Sequence, residues 1–296
     1  MGRDDRAATR RRFLASAAAG LAGVAGCVGR GQSRVRVLVA GSLQQAAAET
    51  LQARTDRELA VEAHGSVHAA RLVARGDRDP AVVALADPAL FSGVLDPPWY
   101  AVVASNELVV AYTEATAGGR RVRDADRWYE PLTGDGVALG RTDPTLDPLG
   151  YRTLFALRLA AARYDRPGLP EAVLGPEQTY PETQLLAQFE TGGIDAAVVY
   201  RSMAVERDYP FRELPPAINL GDPAHAEAYR RVSYDLPDGD VVQGAPIEYA
   251  ATRRRDTDAA RAVFDAMLAG DWLDEHGFIR WETYPRMEGD VPDTPT

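Results

Sequence analysis

Four short turns carry the groups of this chain best suited to chemistry with an anion: Gly41-Ser42, Gly65-Ser66, Gly150-Tyr151 and Tyr200-Arg201-Ser202. Each opens a stretch with helical spacing, so each sets small or hydroxyl residues at a helix start. There, unpaired backbone N–H groups and the helix dipole favour negative charge. Ser42, Ser66, Tyr151 and Ser202 add hydroxyl donors. Any one serine reads equally well as a cap on its own helix. Their recurrence points to one shared site at the carboxyl ends of parallel strands, where open α/β sheets bind ligands.

The stretch Asp143-Pro144-Thr145-Leu146-Asp147-Pro148-Leu149-Gly150-Tyr151-Arg152 holds two Asp-Pro steps. Proline keeps the residue before it out of the helical region and is itself suited to a first helical position, so a helix must begin close to Pro148 or Gly150. The ordinary role of an acid there is an N-cap. Beside a bound dianion, however, a carboxylate is repulsive unless it accepts a proton from the ligand or bonds to an electrophilic centre. Sulfate at neutral pH offers neither, hydrogen phosphate offers the proton, and tungsten and molybdenum centres can accept further oxygen ligands.

Other chemistries find little support. The sequence has no HExxH, P-loop or GxSxG motif and no Cys-His cluster. His64 and His68 stand four apart, but a turn separates them, and an exposed pair at a helix start is simpler than a metal site. For an enzyme on the same scaffold only Asp147 and Glu107 offer acid/base candidates, and Glu107 reads first as a structural hydrogen-bonding group. The formal charge of −10 makes nucleic acid an unsuitable partner. All 33 basic residues are Arg; a GC-rich genome accounts for that alone, and adaptation to high salt accounts for it together with the acidic excess.

The elements that must position these turns follow from the hydrophobic pattern. Val35 to Ala40, Glu58 to Ala63, Ala81 to Ala86, Trp99 to Ala104, Glu107 to Tyr112, Gly136 to Gly140 and Asp195 to Tyr200 read as strands. Leu43 to Ala53, Val67 to Ala74, Gly150 to Tyr164, Gln184 to Thr191 and Asp256 to Leu268 read as helices. The run Ala81 to Ala86 is apolar throughout, as in a parallel strand covered on both faces. The alternation of strand and helix gives an α/β fold, and 296 residues suffice for two lobes. Lobe 1 is expected over 35–112 plus 245–287, lobe 2 over 113–244, and a loose Pro- and Asp-rich tail over 288–296.

Residues 1–27 form an export address. A charged start, an apolar stretch from Phe13 to Ala25 and small residues before Cys27 are the parts of a signal peptide, and Thr9-Arg10-Arg11-Arg12-Phe13-Leu14-Ala15 fits the twin-arginine pattern. The apolar stretch is too short to span a bilayer, which needs about 20 residues. Val24-Ala25-Gly26-Cys27 has the form of a lipobox, and Cys27, the single Cys of the chain, is the expected lipid anchor. A short tether over 28–34 follows. The protein is thus expected to be exported, held at the outer face of the cytoplasmic membrane.

These residues in this order resemble the archaeal tungstate/molybdate-binding proteins of ABC transporters, which have the type II periplasmic-binding-protein fold. The likeness rests on Ala40-Gly41-Ser42-Leu43, Gly65-Ser66, Ala86-Asp87, Ser105 to Thr113, Gly140 to Pro144 with Asp147 to Arg152, Gly193-Ile194-Asp195, Tyr200 to Ala204, Ile218 to Pro223 and Pro246 to Ala250. It implies two lobes, each a mostly parallel sheet flanked by helices, hinged by crossing strands. It further implies that Gly41, Ser42 and Ser66 hold a tungstate or molybdate ion from one lobe, and Asp147, Pro148 and Tyr200 from the other. The partners implied are an ABC permease and ATPase; the binding protein is expected to act as a monomer, without cofactor and without enzymatic activity. Some members use an aspartate and a glutamate to bring the metal to six-coordination, and Asp147 matches the first. The second, sought just before Tyr200, is replaced by Val199, so a four-coordinate, hydrogen-bonded oxyanion becomes an alternative. Sulfate or phosphate as ligand, and a secreted enzyme on this fold, are the remaining alternatives.

Overall fold

The computed structural model describes residues 34–175 and 178–291. The export segment, Cys27 and nearly all of the tether lie outside the described residues. Thirteen strands are described: β1 Val35–Ala40, β2 Leu59–His64, β3 Val82–Leu85, β4 Trp99–Asn106, β5 Leu108–Tyr112, β6 Leu139–Thr142, β7 Thr179–Tyr180, β8 Ala196–Tyr200, β9 Phe211–Glu213, β10 Ser233–Asp235, β11 Val241–Gln243, β12 Ile247–Arg253 and β13 Arg286–Gly289. They form a six-stranded sheet in the order β13-β4-β12-β3-β1-β2, a five-stranded sheet in the order β7-β6-β8-β5-β9, and the hairpin β10-β11.

Both large sheets are mixed for a reason that concerns function. The strand-turn-helix units give the parallel pairs: β1 with β2 and β3, and β6 with β7 and β8. The strands through which the chain passes between sheets run against them, with β12 antiparallel to β3 and β4, and β5 antiparallel to β8 and β9. β3 and β8 are buried at every position, which is why their sequences read as unbroken apolar runs.

Two expected limits shift. The chain changes sheets between Asn106, opposite Ile247 of β12, and Leu108, opposite Tyr200 of β8. β5 therefore belongs to the second sheet, and the change of composition at Thr113 marks only its exit toward the Ala117–Asp124 helix. The tail expected to be loose from Glu288 begins inside β13, where Arg286 to Gly289 pair with Val102 to Trp99 and satisfy the outer edge of β4. The return to the first sheet lies between Gln243 and Ile247.

Helices cover the sheets through apolar faces. Asp258–Ala269 starts where the Thr257 hydroxyl accepts from the Ala260 N–H at 3.2 Å and stops at Gly270, whose φ of +73° suits glycine. Its buried Val263, Phe264 and Met267 pack on the first sheet; truncating Phe264 to Ala would cost about 3–5 kcal/mol. Pro148–Arg163 lies against β6 and β8 in the same way. With the helices at their posts, the carboxyl ends of β1, β2 and β3 deliver Gly41, Gly65 and Ala86, and those of β6 and β8 deliver the Asp147 loop and Arg201.

Candidate anion-binding site

The Asp147 loop reaches from one sheet to the other. Asp147 Oδ1 accepts from the Leu149 N–H at 3.1 Å and Pro148 occupies the first turn of the helix, the capping geometry that the Asp-Pro step predicts. Gly150 is required there, because a Cβ would come within 2.6 Å of the Asp143 carbonyl carbon. Across the cleft, Leu146 O accepts from the His68 N–H at 3.0 Å. A Cβ on Gly65 would lie 2.7 Å from that same oxygen, so the two backbones touch.

Asp147 is 2 % exposed and its second oxygen, Oδ2, has no hydrogen-bond partner. The buried Thr142 hydroxyl at the end of β6 lies within reach of this carboxylate and favours its ionised form. Burial pushes the Asp147 carboxyl up to about 6, against the lowering effect of the Leu149 N–H.

The Gly41-Ser42 turn at the end of β1 aims its two N–H groups at Glu182, the first residue of the Glu182–Glu190 helix of the opposite lobe. Gly41 N donates to Oε2 at 2.9 Å and Ser42 N to Oε1 at 3.1 Å. Glu182 is 3 % exposed; burial first, and then the Asp147 carboxylate, hold its carboxyl well above the usual range. The Ser42 hydroxyl accepts from Tyr249 Oη at 3.0 Å, and Asn106 Nδ2 donates to Ser202 Oγ at 2.8 Å and to Tyr249 Oη at 3.3 Å.

The cation of the site is Arg152, one turn into the Pro148–Arg163 helix and 4 % exposed. It donates to the Ala86 carbonyl and, at 2.8 Å, to Tyr200 Oη, and pairs with Asp87 at 3.3 Å. Ala86 in turn donates through its N–H to Ser66 Oγ at 3.0 Å. Ser66 and Tyr200 are thus joined through Ala86 and Arg152. Burial pushes the Tyr200 hydroxyl well above its ordinary value, so it is a neutral donor.

Hydrogen bonds thus tie Gly41 and Ser42 to Glu182, and Ser66 to Tyr200 through Ala86 and Arg152, while Asp147 caps the helix that Pro148 opens and acts on Glu182 and Tyr200 through its charge. Two further hydroxyls named from the sequence are turned elsewhere: Tyr151 Oη donates to Asp87 at 2.5 Å, and Ser202 faces Asn106. Glu107 accepts from Asn219 Nδ2 at 2.8 Å, the structural role expected for it. His64 bonds Glu62 at 2.8 Å and its ring meets His68 edge-on at 5.3 Å, and no group of three or more His, Cys, Asp or Glu among the described residues is placed to hold a metal ion. Val199 is a buried β8 residue opposite Val109 and brings no ligand. Arg152, Glu182 and Tyr249 are the residues that the turn pattern does not reveal. Among the described residues, a groove of about 460 Å³ between Gln44 to Glu49 on one side and Glu182 to Glu190 on the other leads to the Gly41-Ser42 turn.

Comparison with known proteins agrees with this architecture. The model of the bacterial extracellular solute-binding proteins matches residues 35–278. A Haloferax volcanii protein named for molybdenum binding in an ABC transporter is 58% identical over 294 residues, 97% of this chain and 96% of its own. The molybdate/tungstate-binding protein WtpA of Pyrococcus abyssi is 30% identical over 223 residues, 66% of this chain and 65% of that protein. The periplasmic molybdate-binding protein of Azotobacter vinelandii shares the fold, with a TM-score of 0.58 over 84% of this chain and 100% of that one, at 15% identity.

Proposed function

Because the chain belongs to the bacterial extracellular solute-binding protein family, we propose that it captures a tungstate or molybdate dianion between its lobes and delivers it to the permease and ATPase of an ABC importer. It is a binding protein of the molybdate/tungstate transport type, not an enzyme. One observation carries the choice of ligand: the buried Asp147 carboxylate, whose Oδ2 lacks a well-formed hydrogen bond, is close enough to Glu182 and Tyr200 to act on both electrostatically. A site built for sulfate would gain nothing from that oxygen and lose by repulsion. A tungsten or molybdenum centre can take it as a ligand.

In this reading Gly41, Ser42 and Ser66 hold the oxyanion from lobe 1, and Asp147, Pro148 and Tyr200 from lobe 2. Lobe 1 then comprises 35–106 with 245–289, and lobe 2 the residues between. Arg152 supplies the buried positive charge that a site on a strongly acidic protein needs, and acts through Tyr200. The twin-arginine segment would export the folded protein, and lipidation at Cys27 would hold the monomer at the outer face of the membrane, close to its permease. The acidic, Lys-free composition suits a high-salt exterior.

Calorimetry of the mature protein with tungstate, molybdate, sulfate and phosphate, in high salt, tests the reading. Tight binding of the first two and weak binding of sulfate are expected. Tightest binding of hydrogen phosphate, which can give its proton to Asp147, would overturn the assignment of ligand.

A further inference from the structure

We propose that Glu182 is a tethered stand-in for the oxyanion: it occupies the Gly41 and Ser42 N–H groups until the ligand displaces it, and it thereby sets selectivity against sulfate. The inference rests on the oxyanion reading of the cleft.

Both oxygens of Glu182 act as acceptors, as those of a bound oxyanion would. One carboxylate oxygen takes the Gly41 N–H and the other the Ser42 N–H, at 2.9 and 3.1 Å. The side chain comes from the opposite lobe, is 3 % exposed and crosses the cleft to make these bonds. No room is left for a second acceptor: even a Cβ on Gly41 would lie 2.5 Å from Glu182 Oε2. Two anions cannot share these two donors, so an oxyanion that binds the turn must turn Glu182 out, toward the groove that begins at Gln44, Glu49 and Thr183.

Such an exchange has a physical advantage. Buried N–H groups left without an acceptor are costly, and with Glu182 in place the Gly41-Ser42 turn is never orphaned, with or without ligand. The carboxylate also ties the two lobes together when no oxyanion does. Once displaced, Glu182 stays within a side chain's length of the site. Beside sulfate the displaced carboxylate is only repulsive; beside a molybdenum or tungsten centre its oxygen can enter an enlarged coordination sphere. Glu182 would thus discriminate from the Glu182–Glu190 helix at a site where Val199 supplies no acid.

The test is calorimetry of wild type and Glu182→Gln with molybdate and sulfate. The amide keeps the shape, can accept only one of the two N–H bonds and carries no charge once turned out, so the variant is expected to bind sulfate at least about tenfold more tightly. A variant that binds sulfate no better than wild type overturns the proposal. A crystal structure of the wild-type protein with molybdate gives a readout independent of the variant's folding: oxyanion oxygens on Gly41 N and Ser42 N with Glu182 rotated away support the proposal, and Glu182 still on those two groups overturns it. Failure of the wild type to bind molybdate or tungstate is a different result, and sinks the oxyanion reading itself.

Discussion

Tyr200 Oη accepts a hydrogen bond from the Arg152 guanidinium at 2.8 Å, which leaves the tyrosine proton available for a ligand. The same guanidinium holds the Ala86 carbonyl and Asp87, so one buried cation fixes the donor of lobe 2 against the strand end of lobe 1. The two residues therefore divide their work. In the proposed reading Arg152 positions and neutralises, and Tyr200 touches the ligand.

That division predicts different costs. Tyr200→Phe removes one hydroxyl and should weaken molybdate binding roughly 10- to 100-fold, the worth of about 1.5–3 kcal/mol for a hydrogen bond to a charged group, while thermal stability changes little. Arg152→Ala strands Asp87 in the interior and should destabilise the ligand-free protein by about 3–5 kcal/mol. Denaturant unfolding and calorimetry on both variants check the split. Equal loss of stability in the two would contradict it.

In the proposed reading the two oxygens of Asp147 have two tasks, and substitution can separate them. Asn keeps the acceptor for the Leu149 N–H, whereas Ala removes it and should cost about 1 kcal/mol of stability as a lost helix cap. Both remove the Oδ2 carboxylate oxygen. Asp147→Asn and Asp147→Ala are therefore expected to lose molybdate affinity alike, by tenfold or more (about 1.4 kcal/mol), with only Ala melting earlier. Asn binding as well as wild type would reduce Asp147 to a cap.

How far the sequence reveals this site depends on how local each cause is. The Gly41-Ser42, Gly65-Ser66 and Asp147-Pro148 turns are legible because their chemistry is written in two adjacent residues. Glu182 is not: an acid in the first turn of a helix is an ordinary surface feature, and only the approach of the lobes turns it onto Gly41 and Ser42. Arg152 and Tyr249 are hidden for the same reason, since their partners lie 48 to 207 residues away. The passage between sheets is masked because β4 and β5 are nearly one extended run. β13 is masked because its edge pairing with β4 leaves no period in a Pro- and Asp-rich tail.

A further acid lines the groove that leads to the Gly41-Ser42 turn. Glu206, at the end of the Arg201–Val205 helix, lies 2.9 Å from His276 Nδ1, whose Nε2 meets the Thr50 hydroxyl at 2.7 Å. Burial pushes Glu206 up to about 7, against the pull of Arg207, and lowers His276. A neutral carboxyl beside a neutral imidazole fits both directions. The folded protein then holds a proton that the unfolded chain, at 4.5, has released. Stability should fall as pH rises through that window and level off above about 7, by on the order of 3 kcal/mol in all. Glu206→Gln mimics the protonated group, so it should unfold at higher denaturant than wild type at pH 8 and nearly alike at pH 5. Because burial is the larger cause, high salt should not erase the difference. Parallel curves at both pH values would show that Glu206 is ionised in the fold.

The contact between Gly65 and Leu146 makes closure itself testable. A Cβ at Gly65 would sit 2.7 Å from the Leu146 carbonyl oxygen and 3.0 Å from Asp147 Cβ, and the first is backbone with little freedom to yield. The φ of Gly65 is −56°, an angle open to any residue, so alanine brings no local strain and its effect is confined to the approach of the lobes. The His68 N–H to Leu146 O bond, which joins the same two segments, would be lost with the approach. Gly65→Ala should therefore fold with near wild-type stability, yet stay more open. Small-angle scattering with saturating molybdate is expected to show a larger radius of gyration than wild type, and calorimetry a loss of affinity of tenfold or more. A variant that closes fully and binds normally would mean that the Asp147 loop can withdraw from Gly65 without leaving the ligand.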